Sequence, residues 1–185
     1  MQATDTLRKE HRAIGSVLDS LEKASQALRD GKQVPAWIFG EGLDFLRTFA
    51  DQCHHGKEEK RLFPRFGERG VPTEGGPISV MLAEHEQGRG YIREAGKQYD
   101  KWAVGNASAA APMTDALESY IALLRQHIFK ENEILFPMGD RVISPEDDQW
   151  LVDQFEDIEE HEIGPGVHEK FHAMIDKLDQ EAAAL

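Results

Sequence analysis

Apolar residues recur along this chain at three- and four-residue steps, and the stripes they form predict helices throughout. Between residues 4 and 29, Leu7, Ile14, Leu18 and Leu21 share one stripe, and Gly31 marks its end. Pro35 suits the opening turn of a second helix with Leu43, Leu46 and Ala50 inward, expected to run past Glu58 and stop near Pro64. Residues 67–77, rich in Gly and Pro, read as a loop. Ile78, Met81, Ile92 and Tyr99 form a third stripe, and a linker of small residues spans 105–111. Tyr120, Leu124 and Leu135 form a fourth stripe between Pro112 and Met138. Two further helices, near 145–160 and 166–182, flank Gly164-Pro165-Gly166. No segment carries a strand signal. The expected fold class is all-α: a four-helix up-down-up-down bundle over residues 1–140, with residues 141–185 as a C-terminal helical extension packed on the same domain.

The stripes are interrupted by polar residues in a regular way. His54-x-x-x-Glu58-x-x-x-Leu62-Phe63-Pro64 returns as His127-x-x-x-Glu131-x-x-x-Leu135-Phe136-Pro137, an offset of 73 residues. Glu10-His11 precedes the first copy and Glu84-His85 the second, an offset of 74. The chain therefore reads as two duplicated helical hairpins, each carrying the same polar residues on its inner stripes. His11 and His85 each stand in an otherwise apolar stripe. Four-residue spacing puts His54 with Glu58, and His127 with Glu131, on one face one turn apart.

Composition narrows what such a site serves. The 185 residues carry a net charge of −13, which argues against nucleic acid and against an anionic membrane surface as partners. No apolar run approaches a membrane span and no secretory signal is visible at residues 1–10, so a cytoplasmic protein is the default expectation. Nine Asp or Glu lie between Glu146 and Glu162 without one Lys or Arg; with Trp150, Leu151, Phe155 and Ile158 at helical spacing, they read as a solvated helix face. Cys53, the only cysteine, excludes an intramolecular disulfide and a cysteine-built zinc or iron–sulfur site.

Four histidines and two carboxylates on four inward stripes are costly to bury without a compensating cation. Imidazole and carboxylate together suit iron, manganese or zinc. Six groups exceed the usual four of a zinc site, and two duplicated carboxylates suit two ions with each Glu between them.

The order His11, His54-x-x-x-Glu58, His85, His127-x-x-x-Glu131 resembles the hemerythrin-like HHE cation-binding family over about residues 4–140. The resemblance implies two Fe ions, oxo- or hydroxo-bridged, with His11, His54, His85 and His127 as terminal ligands and Glu58 and Glu131 as bridges. It also implies a small-molecule ligand: O2, peroxide or NO. Two positions depart from the oxygen-carrying hemerythrins: Arg89 stands where their third helix has a second histidine, and His127-x-x-x-Glu131 replaces a His-x-x-x-x-Asp spacing. The closer likeness is to the bacterial, regulatory branch, whose members respond to oxygen, peroxide, nitric oxide or iron.

His55 lies about 60° from Glu58 on an ideal wheel, against about 40° for His54, so it is either a further metal ligand or an outer partner. Its counterpart, Ile128, has no ligand atom. Glu59 reads as a solvated surface residue and Cys53 as packing. His161 reads as solvated; His168 and His172 as exposed or capping, with a surface metal pair as the alternative. Three readings of function compete: a small-molecule-binding di-iron protein for sensing, storage or stress response; a peroxide-decomposing di-iron enzyme; and a metal-free histidine phosphotransfer bundle built on His55-Gly56-Lys57. A ferritin-like site needs paired Glu-x-x-His motifs, which the repeat lacks.

Overall fold

The first stripe folds into α1, Gln2–Arg29, which buries Leu7, Ile14, Val17, Leu18, Leu21 and Ala24. It stops at Gly31, whose φ of 77° glycine adopts at little steric cost. There the Lys32 amide donates to the Ala27 carbonyl at 3.0 Å and the Gly31 amide to that of Leu28 at 3.1 Å, so two terminal carbonyls find partners. The computed structural model describes residues 1–164 and 166–185, without the side chains of His168, Glu169 and His172. The roles expected of those two histidines, and of Pro165, lie outside the described residues.

Helix α2 covers residues 36–68. It joins α-helical Ala36–Phe45, π-helical Leu46–His55 and Glu58–Leu62, and α-helical Phe63–Glu68. Helix α3 is Pro77–Ala103. A 3-10 turn at Ala107–Ala109 follows. Helix α4 covers residues 110–140: Ala110–Lys130, a π turn at Glu131–Leu135, then Phe136–Asp140. Helix α5 covers residues 145–163, α-helical Pro145–Asp157 and then π-helical Ile158–Ile163, and starts from a capping box of Ser144 and Asp147. Helix α6 is Val167–Ala183. Among the described residues the regular structure is six helices without a strand, and none is long and apolar enough to cross a membrane.

Two boundaries differ from the sequence reading. The linker at 105–111 is shorter, because Asn106 caps the following turn through a 3.1 Å bond from the Ser108 amide. Helix α2 also runs past Pro64, to Glu68. A π turn bonds five residues back and changes the register of the ladder. The turn ending at Leu62 therefore lets Pro64 enter the first turn of a renewed α-helix, where its missing N–H breaks no bond. Pro137 sits in the same way after the π turn ending at Leu135.

The apolar core is split in two. One cluster gathers Ile14, Leu18, Leu46, Ala50, Ile92, Tyr120 and Leu124. The other gathers Leu7, Leu62, Phe63, Phe66, Met81, Leu135 and Phe136. Helix α1 passes from the second cluster through His11 to the first; α2 passes from the first through His54 and Glu58 to the second. Helices α3 and α4 repeat those two passages through His85 and through His127 and Glu131. A polar layer therefore separates two apolar ones. Helix α3 packs along α4, α1 packs on α2 and α4, and α5 and α6 both lie against α1. Phe171, Met174 and Leu178 of α6 complete the first cluster, and Leu151 and Phe155 of α5 the second.

The two copies of the motif also touch each other. Phe66 and Gly139 occupy the same place in their copies, 73 residues apart, and the Phe66 ring fills the space where a side chain on Gly139 would stand. A Cβ at Gly139 would fall 2.0 Å from the ring. One large and one missing side chain solve a contact that two identical residues could not make. Gly139→Ala is therefore expected to destabilise the fold by about 1–3 kcal/mol through overpacking. Urea denaturation of the metal-free protein measures this, and an unchanged midpoint would contradict the close packing.

Candidate metal centre

The polar layer brings together all seven residues singled out from the sequence. His11 comes from α1, His54, His55 and Glu58 from α2, His85 from α3, and His127 and Glu131 from α4. None is more than 4% exposed. They form two groups whose ligand atoms lie within 4.8 Å of one another: His55, Glu58, His85 and His127, and His11, His54, Glu58 and Glu131.

The carboxylates lie between the groups. Glu58 turns Oε1 to His54 Nε2 at 3.6 Å and Oε2 to His85 Nε2 at 3.5 Å. Glu131 turns Oε2 to His11 Nε2 at 3.2 Å and Oε1 to His127 Nε2 at 3.3 Å. Each carboxylate thus presents one oxygen to each side, the placement a bridging ligand needs.

The far side of every imidazole is held by an oxygen. His54 Nδ1 meets Glu10 at 2.7 Å, His85 Nδ1 meets Glu59 at 2.7 Å, and His127 Nδ1 meets Glu84 at 3.0 Å. His11 Nδ1 meets the Asn132 side-chain oxygen at 2.9 Å, and His55 Nδ1 meets Asp51 at 3.4 Å. An oxygen acceptor at Nδ1 fixes the proton there and leaves Nε2 with a lone pair. Five Nε2 atoms therefore face inward as acceptors, and His85 and His127 point theirs at each other across 3.0 Å. Nε2 of His11 and His55, and all four oxygens of Glu58 and Glu131, have no hydrogen-bond partner despite complete burial. A layer of acceptors without donors is unfavourable on its own and fits a cation.

The titrating groups show the same pressure. Burial drives His54 down to about 4, against the pull of Glu10, and lowers His55 and His85 as well. These rings are neutral at pH 7 and free to donate electron pairs. Burial and the adjacent Glu131 push the Glu58 carboxyl well above its usual range. Burial acts in the same sense on Glu131, but His127 and His11 outweigh it and hold that carboxyl low. His127 is raised, since Glu131 and Glu84 overcome its burial. Burial also disfavours charge on Glu10, but its bonds to His54 and Lys57 bring it to about 2.

His55 enters its group with its ring stacked on His85 at 3.9 Å between centroids. The π-helical backbone of Leu46–His55 spaces successive side chains more closely around the axis, so His54 and His55 both face the layer. Ile128 stands on regular α-helix and packs against the first apolar cluster instead. Glu59 corrects the sequence reading. It is not a solvated residue: it accepts from His85 and pairs with Arg89 at 2.8 Å, because the π turn Glu58–Leu62 advances it toward α3. Cys53 is buried, and burial raises its thiol to about 11. His161 is exposed and pairs with Asp157 at 3.0 Å.

Four residues were missed as a set. Lys57 and Lys130 share the 73-residue offset, and their ammonium groups bind Glu10 and Glu84, the acids that hold His54 and His127. The signal was available: the repeat is His-x-x-Lys-Glu, and each Glu-His pair carries its acid at the matching place.

The hemerythrin HHE cation-binding domain matches this chain over residues 2–139. Two relatives, uncharacterised proteins of Mycobacterium bovis and Mycobacterium tuberculosis, are each 24% identical over 176 residues, covering 95% of this chain and 67% of theirs. That similarity runs beyond residue 139 into the C-terminal helices.

Burial and Glu131 push the Glu58 carboxyl well above its usual range, so a cation competes with a proton there. Metal binding near pH 7 is therefore expected to release protons, and affinity to fall as pH falls. Calorimetric titration with zinc in two buffers of different ionisation enthalpy reads the release; identical apparent enthalpies would contradict it.

Proposed function

Since the chain belongs to the hemerythrin HHE cation-binding family, we propose that the polar layer holds a pair of iron ions and that the protein binds a small molecule there: O2, peroxide or NO. The observation that carries this reading is the convergence of five imidazole lone pairs and four unpartnered carboxylate oxygens in one buried layer. In this reading His55, His85 and His127 hold one ion and His11 and His54 the other, with Glu58 and Glu131 between them. The alternating passage of α1–α4 between the two apolar clusters supports an up-down-up-down four-helix bundle as the frame. The extension from residue 141 onward packs on that same frame.

When bound, an iron pair supplies electrons to, or accepts them from, the small molecule. The chain's own part is geometric. Glu10, Glu59, Glu84 and Asn132 fix the ring orientations, and Leu62, Phe63, Leu135 and Phe136 keep one side of the layer dry. The His11–His54 side has two imidazoles against three, so the open position belongs there. A hollow of about 290 Å³ lined by Arg8, His11, Ile128 and Asn132 lies on that flank. A second, of about 190 Å³, borders His55, His85, Arg89 and Tyr120. A phosphotransfer role is disfavoured, because His55 is only 4% exposed and closed to a phosphoryl donor.

Anaerobic loading with ferrous iron is expected to give two ions per chain, and oxygen is then expected to produce a visible absorption band. No bound metal, or one ion per chain, would overturn the reading. Steady oxygen evolution from added peroxide would instead identify the peroxide-decomposing enzyme. Chelation of the loaded protein is expected to lower its thermal midpoint, and His54→Ala or Glu58→Ala to mimic that loss. An unchanged midpoint after chelation would count against a buried shared site.

A further inference from the structure

The two halves of the polar layer are held from outside by matching chains of contacts, and one chain is longer. In the second half, His127 is held by Glu84, and Glu84 by Lys130, whose side chain is 32% exposed. In the first half, His54 is held by Glu10 and Glu10 by Lys57, which is fully buried. Lys57 then makes a second ion pair, at 2.5 Å, to Glu159. Glu159 belongs to the π-helical end of α5, outside residues 2–139 that define the family domain. Phe155 lies beneath the same ammonium, with its ring centroid 5.8 Å away. One turn further along α2, Lys60 pairs with Glu162 of the same π segment. Among the described residues no carboxylate other than Glu84 pairs with Lys130.

We propose that Glu159 is a positioning residue of the metal centre. The C-terminal extension uses it to pin Lys57, Lys57 fixes the Glu10 carboxylate, and Glu10 holds the His54 ring to its ion. A buried lysine between two acids has its charge compensated on both sides. With only Glu10 left it is free to turn toward solvent and draw that carboxylate away from the ring. Through Glu159 the extension thereby tightens the hold of the His11–His54 side, and among the described residues Lys130 has no matching contact to it. This assignment rests on the two-ion reading.

The test is release of ferrous iron from the loaded full-length chain to a coloured chelator, under anaerobic conditions. The parent protein is expected to release its two ions in two phases. Glu159→Ala should speed one phase severalfold, below the roughly 10–100-fold that loss of a direct outer partner of a metal-bound histidine produces. The other phase should stay unchanged. Glu159→Gln, which keeps an oxygen for Lys57, should recover part of the loss. Lys130→Met should speed the opposite phase. Far-ultraviolet circular dichroism of each variant checks that the helices are intact; if Glu159→Ala is not folded, the Gln variant carries the comparison. Equal acceleration of both phases, or of neither, would overturn the role of Glu159 while leaving the metal site standing. Absence of iron from the parent protein would defeat the two-ion reading itself.

Discussion

Five imidazole nitrogens and four carboxylate oxygens face one another in a buried layer, and most of what surrounds them follows from that opposition. Buried acceptors without donors repel, and burial of the carboxylates is costly unless a positive charge lies among them. Burial and the neighbouring Glu131 push the Glu58 carboxyl up, while His127 and His11 hold Glu131 low against the same burial. Each ring is turned by an oxygen at Nδ1, and two of those oxygens are steadied by lysines. Apolar clusters on both sides keep the layer dry and strengthen every interaction within it.

Duplication gives the layer its near-symmetry, and small departures give it direction. The π turns at Glu58–Leu62 and Glu131–Leu135 occur in both copies and let each helix continue through Leu-Phe-Pro. The longer π segment Leu46–His55 exists in the first copy alone and adds His55 to the layer. Phe66 against Gly139 shows the same logic in the core, where one copy supplies the side chain and the other the space. The extension adds a further asymmetry by holding Lys57 and leaving Lys130 at the surface.

Much of this was legible in the residues. Stripes with three- and four-residue steps located the helices, and polar interruptions at one offset located His11, His54, Glu58, His85, His127 and Glu131. What the sequence hid was backbone register. No residue type announces a π turn, so an ideal wheel placed Glu59 in solvent and left His55 between two roles. The lysines were hidden for another reason. Lys57 repeats as Lys130 in the motif, but only tertiary packing shows that Glu10 and Glu159 close around it. The acidic face of α5 was read as solvated for the same reason, although Glu159 turns back onto α2.

Anomalous X-ray diffraction from crystals of the iron-loaded protein tests the central claim most directly. Two peaks are predicted, separated by roughly 3.5 Å as in two-metal sites, one beside His55, His85 and His127 and the other beside His11 and His54, with Glu58 and Glu131 between them. A single peak, or peaks only on the surface, would contradict the account.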